Sequence, residues 1–218
     1  AASDVYKRQH LLWLPLPARV ISVRQSYKME SFTSCSGVAA AILLDNIDTD
    51  AIIPSREMKL VSKTGLSAGL FATWRYTLPG SRHKNSEFIL NQPDYANTSI
   101  LLVGANFGCG SSREHAVWAL KEFGVRAIIA PSFGSIFYGN CIRNALLPVT
   151  LSIDLIKRLT RATHYDPQNH LITVDLVLQS VKVDDIVCFD FEFSSTHREM
   201  LLNGLDDISM TERWTRDI

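Results

Sequence analysis

Cysteine is scarce in this chain, net charge is absent, and no apolar run is long enough to cross a membrane. The four cysteines, Cys35, Cys109, Cys141 and Cys188, are widely spaced and form no C-x-x-C pair. That removes zinc-ribbon and bacterial ferredoxin spacings. It leads us to expect reduced thiols in a cytoplasmic protein that holds no iron–sulfur cluster of its own. Lysine plus arginine equals aspartate plus glutamate at 22 each, so no global field draws the chain to nucleic acid or to a membrane surface. The balance is uneven along the chain. Residues 1–28 carry five cations against one acid, which leaves 17 basic and 21 acidic residues in 29–218, a net of −4.

The first 28 residues are read apart from the rest. Residues 11–23 are apolar, with Lys7 and Arg8 ahead of them, but Pro15, Pro17 and Arg19 interrupt the run. It is too short to span a bilayer and lacks a convincing signal-cleavage site. The string Asp4-Val5-Tyr6-Lys7-Arg8-Gln9 resembles the translation of a transposon-end sequencing adaptor. Residues 1–28 are therefore expected to be an artefact or a disordered extension, with Met29 as the start and 29–218 as one domain.

What remains is 46% hydrophobic over a 218-residue chain, enough for one domain with a real core. Residues 32–44 read as a strand ending in a turn at Asp45-Asn46. Pro54 stops any element begun at 48–53, and 55–97 is loop-rich, with Gly65, Gly69, Pro79, Gly80 and Pro93 as punctuation. Residues 99–103, 126–130 and 146–151 are short continuous apolar runs suited to buried parallel strands. Between them, 113–123 has Ala116, Leu120 and Phe123 at helical spacing and Gly124 as a C-cap, and 133–144 reads as a second helix. This alternation predicts right-handed crossovers and a mostly parallel central sheet flanked by helices. Residues 171–178 and 181–193 read as strands of a separate antiparallel C-terminal layer, with short helices at 196–203 and 211–217. The fold class is α/β.

The chemistry concentrates in the loop 104–112, between a buried strand and a helix. Gly104, Gly108 and Gly110 allow positive φ and close approach of a ligand to the backbone. Ser111 and Ser112 precede Arg113, so one serine is expected to cap the helix and leave its first N–H groups to an anion. Arg113 adds a planar fork that matches a carboxylate or phosphate. In a parallel sheet such a loop lies at the C-terminal strand edge, where ligands bind. The loop is not a phosphate-binding P-loop, a dinucleotide fingerprint or a hydrolase nucleophile elbow. Composition and spacing alone stop at an anion-binding loop with a candidate reactive serine.

The longer string goes further. Asn106-Phe107-Gly108-Cys109-Gly110-Ser111-Ser112-Arg113-Glu114-His115-Ala116 resembles the signature of the aconitase-family swivelling domain, in the form typical of isopropylmalate dehydratase small subunits. Four more stretches agree in order. They are Asp45-Asn46-Ile47-Asp48-Thr49-Asp50-Ala51-Ile52-Ile53-Pro54, Phe71-Ala72-Thr73-Trp74-Arg75-Tyr76, Ala130-Pro131-Ser132-Phe133 and Asn203-Gly204-Leu205-Asp206. The resemblance covers essentially all of 30–210 and implies a swivelling β/β/α domain. The family often runs a little beyond the position of Ile218.

Position by position, the resemblance implies that Ser111 is the general base that withdraws a proton from the carbon next to a carboxylate. Ser112 and Arg113 grip a substrate carboxylate, alongside Asn106, Gly108 and Gly110 of the loop, and Asp50 orients its neighbours in the cleft. A [4Fe–4S] cluster is implied on a partner large subunit, and the substrate is a small hydroxy-dicarboxylic acid. The implied reaction isomerises 2-isopropylmalate to 3-isopropylmalate in leucine biosynthesis. Substrate choice is attributed partly to the loop after Pro54, where Lys63 stands at a position often occupied by arginine in the family. A lysine keeps the cation but loses the bidentate fork, so subunits of citraconate or methylmalate hydratases and of homoaconitase type stay open. So does a non-catalytic anion-binding domain. His83, His164, His170 and His197 show no ligand spacing. His115 is read as support for the loop, and Trp74, Trp118 and Phe133 as core packing.

Overall fold

Strands that are apolar at every position belong where both faces are covered, and the two central strands of the sheet that carries the site are of this kind. The computed structural model describes residues 29–58, 64–111, 113–184 and 187–214. Strands β2 (Ala39–Ile42), β3 (Ile100–Val103), β4 (Ala127–Ala130) and β5 (Leu147–Thr150) form a parallel sheet in the order β2-β3-β4-β5. Every residue of β3 and β4 is buried. Because side chains alternate across a strand, the sheet divides the interior into two cores. Leu101, Val103, Ile128 and Ala130 pack with Ala116, Val117 and Leu120 of α3 (Glu114–Phe123) on one side. Ile100, Leu102, Ala127 and Ile129 pack with Ile156 and Leu159 of α5 (Ile153–Thr163) on the other.

The second core is closed by an antiparallel sheet. Strands β1 (Ser34–Gly37), β6 (Ile172–Asp175), β7 (Ser180–Val183) and β8 (Val187–Asp190) pair in the order β1-β6-β7-β8. Ile172, Val174, Val181 and Val183 point inward, and α5 packs against β2, β3, β4 and β7, joining the sheets. The expected α/β architecture, a parallel sheet flanked by helices with a separate antiparallel layer, is the one observed. Helix α3 ends at Gly124, as read, and α4 spans Ser135–Arg143 inside the expected 133–144.

Three elements differ from the reading. The single strand expected over 32–44 is two strands in different sheets. Ser34-Cys35-Ser36-Gly37 is small, half-exposed and suited to a sheet with one wet face, whereas Ala39–Ile42 is largely buried in the parallel sheet. Helix α5 was not anticipated. Its Ile156, Leu159 and Thr163 are buried at helical spacing between charged residues. The last helix, α7, spans Asp207–Trp214 rather than 211–217. It begins early because the Asp206 side chain accepts from Ser209 N–H at 2.7 Å, while Gly204 closes α6 (Ser195–Asn203) just before it. The expectation for residues 1–28 lies outside the described residues.

The sheet brings its strand ends unusually close. A Cβ on Gly104, just after β3, would lie 2.3 Å from the Leu44 carbonyl oxygen after β2. Gly104→Ala is expected to cost about 1–3 kcal/mol through overpacking. Thermal unfolding of 29–218 reads this as a Tm loss of about 2–4 °C per kcal/mol. An unchanged Tm would show that the two strand ends are not so tightly apposed.

Candidate active site

Three loops leave the C-terminal ends of β2, β3 and β4 and are sewn together by their own backbones. On one side, Asn46 N–H donates to Ala105 C=O at 2.8 Å, Gly108 N–H to Ile47 C=O at 2.7 Å and Thr49 N–H to Cys109 C=O at 3.1 Å. The Asp45 side chain accepts from Ala105 N–H at 2.7 Å, and Asn106 Nδ2 donates to Asn46 Oδ1 at 2.8 Å. On the other side, Asn106 N–H donates to Ser132 Oγ at 2.8 Å and Phe107 N–H to Ser132 C=O at 3.1 Å. The loop can turn here because Gly108 takes φ +73°, a region costly for residues with a Cβ. A Cβ there would also fall 2.2 Å from Cγ of Phe137 on α4.

The consequence is a loop held from below with its tip in solvent. Thr49 is 1% exposed, and its hydroxyl donates to the Ser111 carbonyl at 2.6 Å. Gly110 and Ser111 themselves are exposed. Thr49 opens α1 (Thr49–Ile52), whose N-cap Asp48 accepts from Ala51 N–H at 2.7 Å. The same short helix presents Asp50 to Arg113 at the head of α3, and the two form an ion pair. Ser55 completes the arrangement: its hydroxyl donates to Asp50 Oδ1 at 3.1 Å and accepts from Arg113 Nη1 at 2.9 Å. The hydrogen bond from Arg113 holds the Asp50 carboxyl below its ordinary value. Slight burial opposes this, and Ser55 adds to the lowering.

The structure thus brings Asn106, Gly108, Gly110 and Ser111 into one loop and places Asp50 against Arg113 beside it. One expectation fails. The N-cap of α3 is Arg113 itself, in an extended conformation at φ −124° and ψ 114°, and its side chain makes no capping hydrogen bond. Ser111 lies too far ahead of the first helical residue to serve, because the helix begins at Glu114 rather than at 113. Ser112 and Lys63 lie outside the described residues. His115 packs against Trp118, with ring centroids 4.8 Å apart and the rings tilted by 58°. The Trp118 indole donates to Asn144 at 3.0 Å, and Asn144 donates to Glu114 at 2.9 Å, which ties the first turn of α3 to the end of α4.

Two residues of the site carried no role in the sequence reading. Thr49 and Ser55 sit in or next to the string 45–54, but their partners are 62 and 58 positions away. Only their place in that string marked them. Among the described residues no group of three His, Cys, Asp or Glu side chains converges to hold a metal. Cys35, Cys109, Cys141 and Cys188 are free. Cys141 is fully enclosed, and burial pushes its thiol well up. No helix among the described residues is long and apolar enough to cross a membrane.

A parallel sheet whose C-terminal edge presents a glycine–serine–arginine loop, backed by a small antiparallel sheet, defines a class. Residues 29–154 match the family described as the aconitase C-terminal domain, and the chain belongs to that family. Within it, a 3-isopropylmalate dehydratase small subunit of Cupriavidus necator is 55% identical over 183 residues, covering 84% of this chain and 88% of that one. A protein of the same name from Rhodospirillum centenum is 46% identical over 190 residues, covering 87% of this chain and 92% of its own. The crystal structure of 3-isopropylmalate dehydratase from Methanocaldococcus jannaschii superposes with a TM-score of 0.61 at 26% identity. It covers 85% of this chain and 98% of that one.

The ion pair gives a direct test. Asp50 is expected to titrate below the ordinary aspartate value in a carboxyl-resolved NMR titration, and Arg113→Met should raise it. The folded carboxyl is the depressed one, so the pair contributes fully above that value and is lost only as pH falls through the lowered one. Titration of Asp50 at or above the ordinary aspartate value in the unsubstituted chain would remove the pair from the site.

Proposed function

We propose that this chain is the small subunit of a hydro-lyase that isomerises 2-isopropylmalate to 3-isopropylmalate by dehydration and rehydration in leucine biosynthesis. The observation that carries the reading is the convergence of Asp50, Ser55 and Arg113 at the head of α3, next to an exposed Ser111 in a chain of this family. Asp50 and Ser55 take Nη1 of the guanidinium and fix its plane. The fork has five N–H donors in all, and the rest of it serves a substrate carboxylate. Ser112 shares that grip.

Ser111 then acts as the general base. A serine hydroxyl is a weak acid, so its alkoxide needs fixed positive potential, which Arg113 and the N-terminal end of α3 supply. The proton leaves the carbon next to the gripped carboxylate for Ser111 Oγ. When bound to the partner, a [4Fe–4S] cluster supplies a Lewis acid for the departing hydroxyl. The described cysteines of this chain are too scattered to hold such a cluster, so we assign it to a large subunit. The domain is 29–218, acting in the cytoplasm, and residues 1–28 take no part.

The test is co-expression of 29–218 with a cluster-bearing large subunit and an anaerobic assay of isopropylmaleate hydration. Ser111→Ala should lower kcat by about 100- to 10,000-fold, the range for loss of a general base. Arg113→Lys should chiefly raise KM, since a lysine cannot replace the fork. Wild-type turnover in Ser111→Ala would overturn the base assignment. Activity of the isolated chain without iron would overturn the two-subunit scheme. Faster turnover of a citraconate or homoaconitate substrate would move the chain to a neighbouring activity, a shift that Lys63 in place of arginine favours. The chain with residues 1–28 present should match 29–218 in rate.

A further inference from the structure

The head of α3 carries the grip, and its last turn carries a second carboxylate with an unusual set of partners. Glu122 Oε1 accepts from Gly65 N–H at 2.5 Å, and Oε2 accepts from Leu66 and Ser67 N–H at 2.5 and 2.7 Å. Burial opposes ionisation here, but the three N–H groups outweigh it and hold the carboxyl below its ordinary value. An exposed glutamate has no need of three backbone donors. Their effect is to fix residues 65–67 against the helix.

The carbonyls of the same short stretch are clamped from the other side. Arg75 donates to Ser67 C=O at 2.8 Å, Tyr76 OH to Ala68 C=O at 2.8 Å and Arg82 to the same carbonyl at 3.3 Å. Arg82 also donates to Glu57 at 2.7 Å, and the Glu57 side chain is only 8% exposed. Glu57 ends the single turn Ser55–Glu57, and Ser55 touches both Arg113 and Asp50. The contacts form a closed ring: Arg113, Ser55, Glu57, Arg82, Ala68, Ser67, Glu122 and back along α3. Arg113 and Glu122 are nine positions apart, about 13 Å at helical rise. The helix is one side of the ring, and the clamped segment is the other.

We propose that Glu122 is a positioning residue for the carboxylate grip, acting through the clamp at 65–68 and the Arg82 bridge to hold Ser55 against Arg113. This rests on the functional reading above. In a closed ring, release at one link lets every other link shift, and Ser55 is the link that fixes the guanidinium plane.

Glu122→Gln tests it in the assembled two-subunit enzyme. The amide is isosteric but turns one oxygen into a donor that faces N–H donors. Hydrogen exchange at the 65–67 amides should speed up. KM for the diacid should rise about 2- to 30-fold, the range for coupling through such networks, with kcat within about two-fold of wild type. Arg82→Met, which opens the ring elsewhere, should raise KM similarly, and the double variant should add little. Additive effects, or faster exchange with unchanged KM, would overturn the proposal. So would unchanged exchange. A wild-type enzyme that turns over no diacid would instead sink the functional reading, which separates the two failures.

Discussion

Thr49 lies under the glycine loop, almost wholly buried, and gives that loop both its backbone N–H and its hydroxyl. Every functional statement about the loop depends on these bonds and the neighbouring ones from Asp45 and Asn46. A loop with three glycines has many conformations, and ordering each residue costs about 1–2 kcal/mol. Here the cost is offset by pairing the loop on both sides, with 45–49 along one edge and 132–134 along the other. The closeness that makes this pairing possible comes from the parallel sheet. Its adjacent strands deliver three loops to one edge in register, and Gly104 lets two of them touch.

Electrostatics then narrows what the edge can bind. Residues 29–218 carry a net of −4, so the dianionic substrate of the proposed function meets no general attraction to this chain. Among the described residues, the proposed grip is local: Arg113, part of whose fork is already held by Asp50 and Ser55, and the N-terminal end of α3. The pairing with Asp50 cancels much of the charge of Arg113 at a distance while fixing its direction. A site of this kind selects by geometry at contact rather than by long-range steering.

The fold was legible where an element's apolar pattern is dense or its end is marked by glycine, and illegible where the buried stripe is thin. Residues 100–103 and 127–130 announce themselves because every side chain is apolar, and Gly124 marks the end of α3 by needing φ +115°. Helix α5 hides because its buried stripe is only Ile156, Leu159 and Thr163 among charges. The site was legible as a string but not as a set of contacts. Ser55, Thr49 and Glu122 act on partners 55 to 62 positions away. No local spacing encodes that. The serine cap failed for a related reason: a string fixes which residues are near the helix start, but backbone dihedrals decide which of them is the cap.

The exposure of Ser111 has a chemical consequence. A serine in contact with bulk water is a poor base, because water solvates its hydroxyl and the surrounding dielectric weakens every fixed charge that would stabilise an alkoxide. The loop can be rigid and Arg113 correctly aimed, and the site is still inert while its tip is wet. Rigidity therefore comes from this chain, through Thr49 and the ring that closes on Ser55, whereas dryness has to come from a surface laid over Gly110 and Ser111. On the proposed function, that division of labour is a physical reason for a two-subunit design: the pre-aimed loop and a covering surface would form the reactive state only by meeting around the substrate.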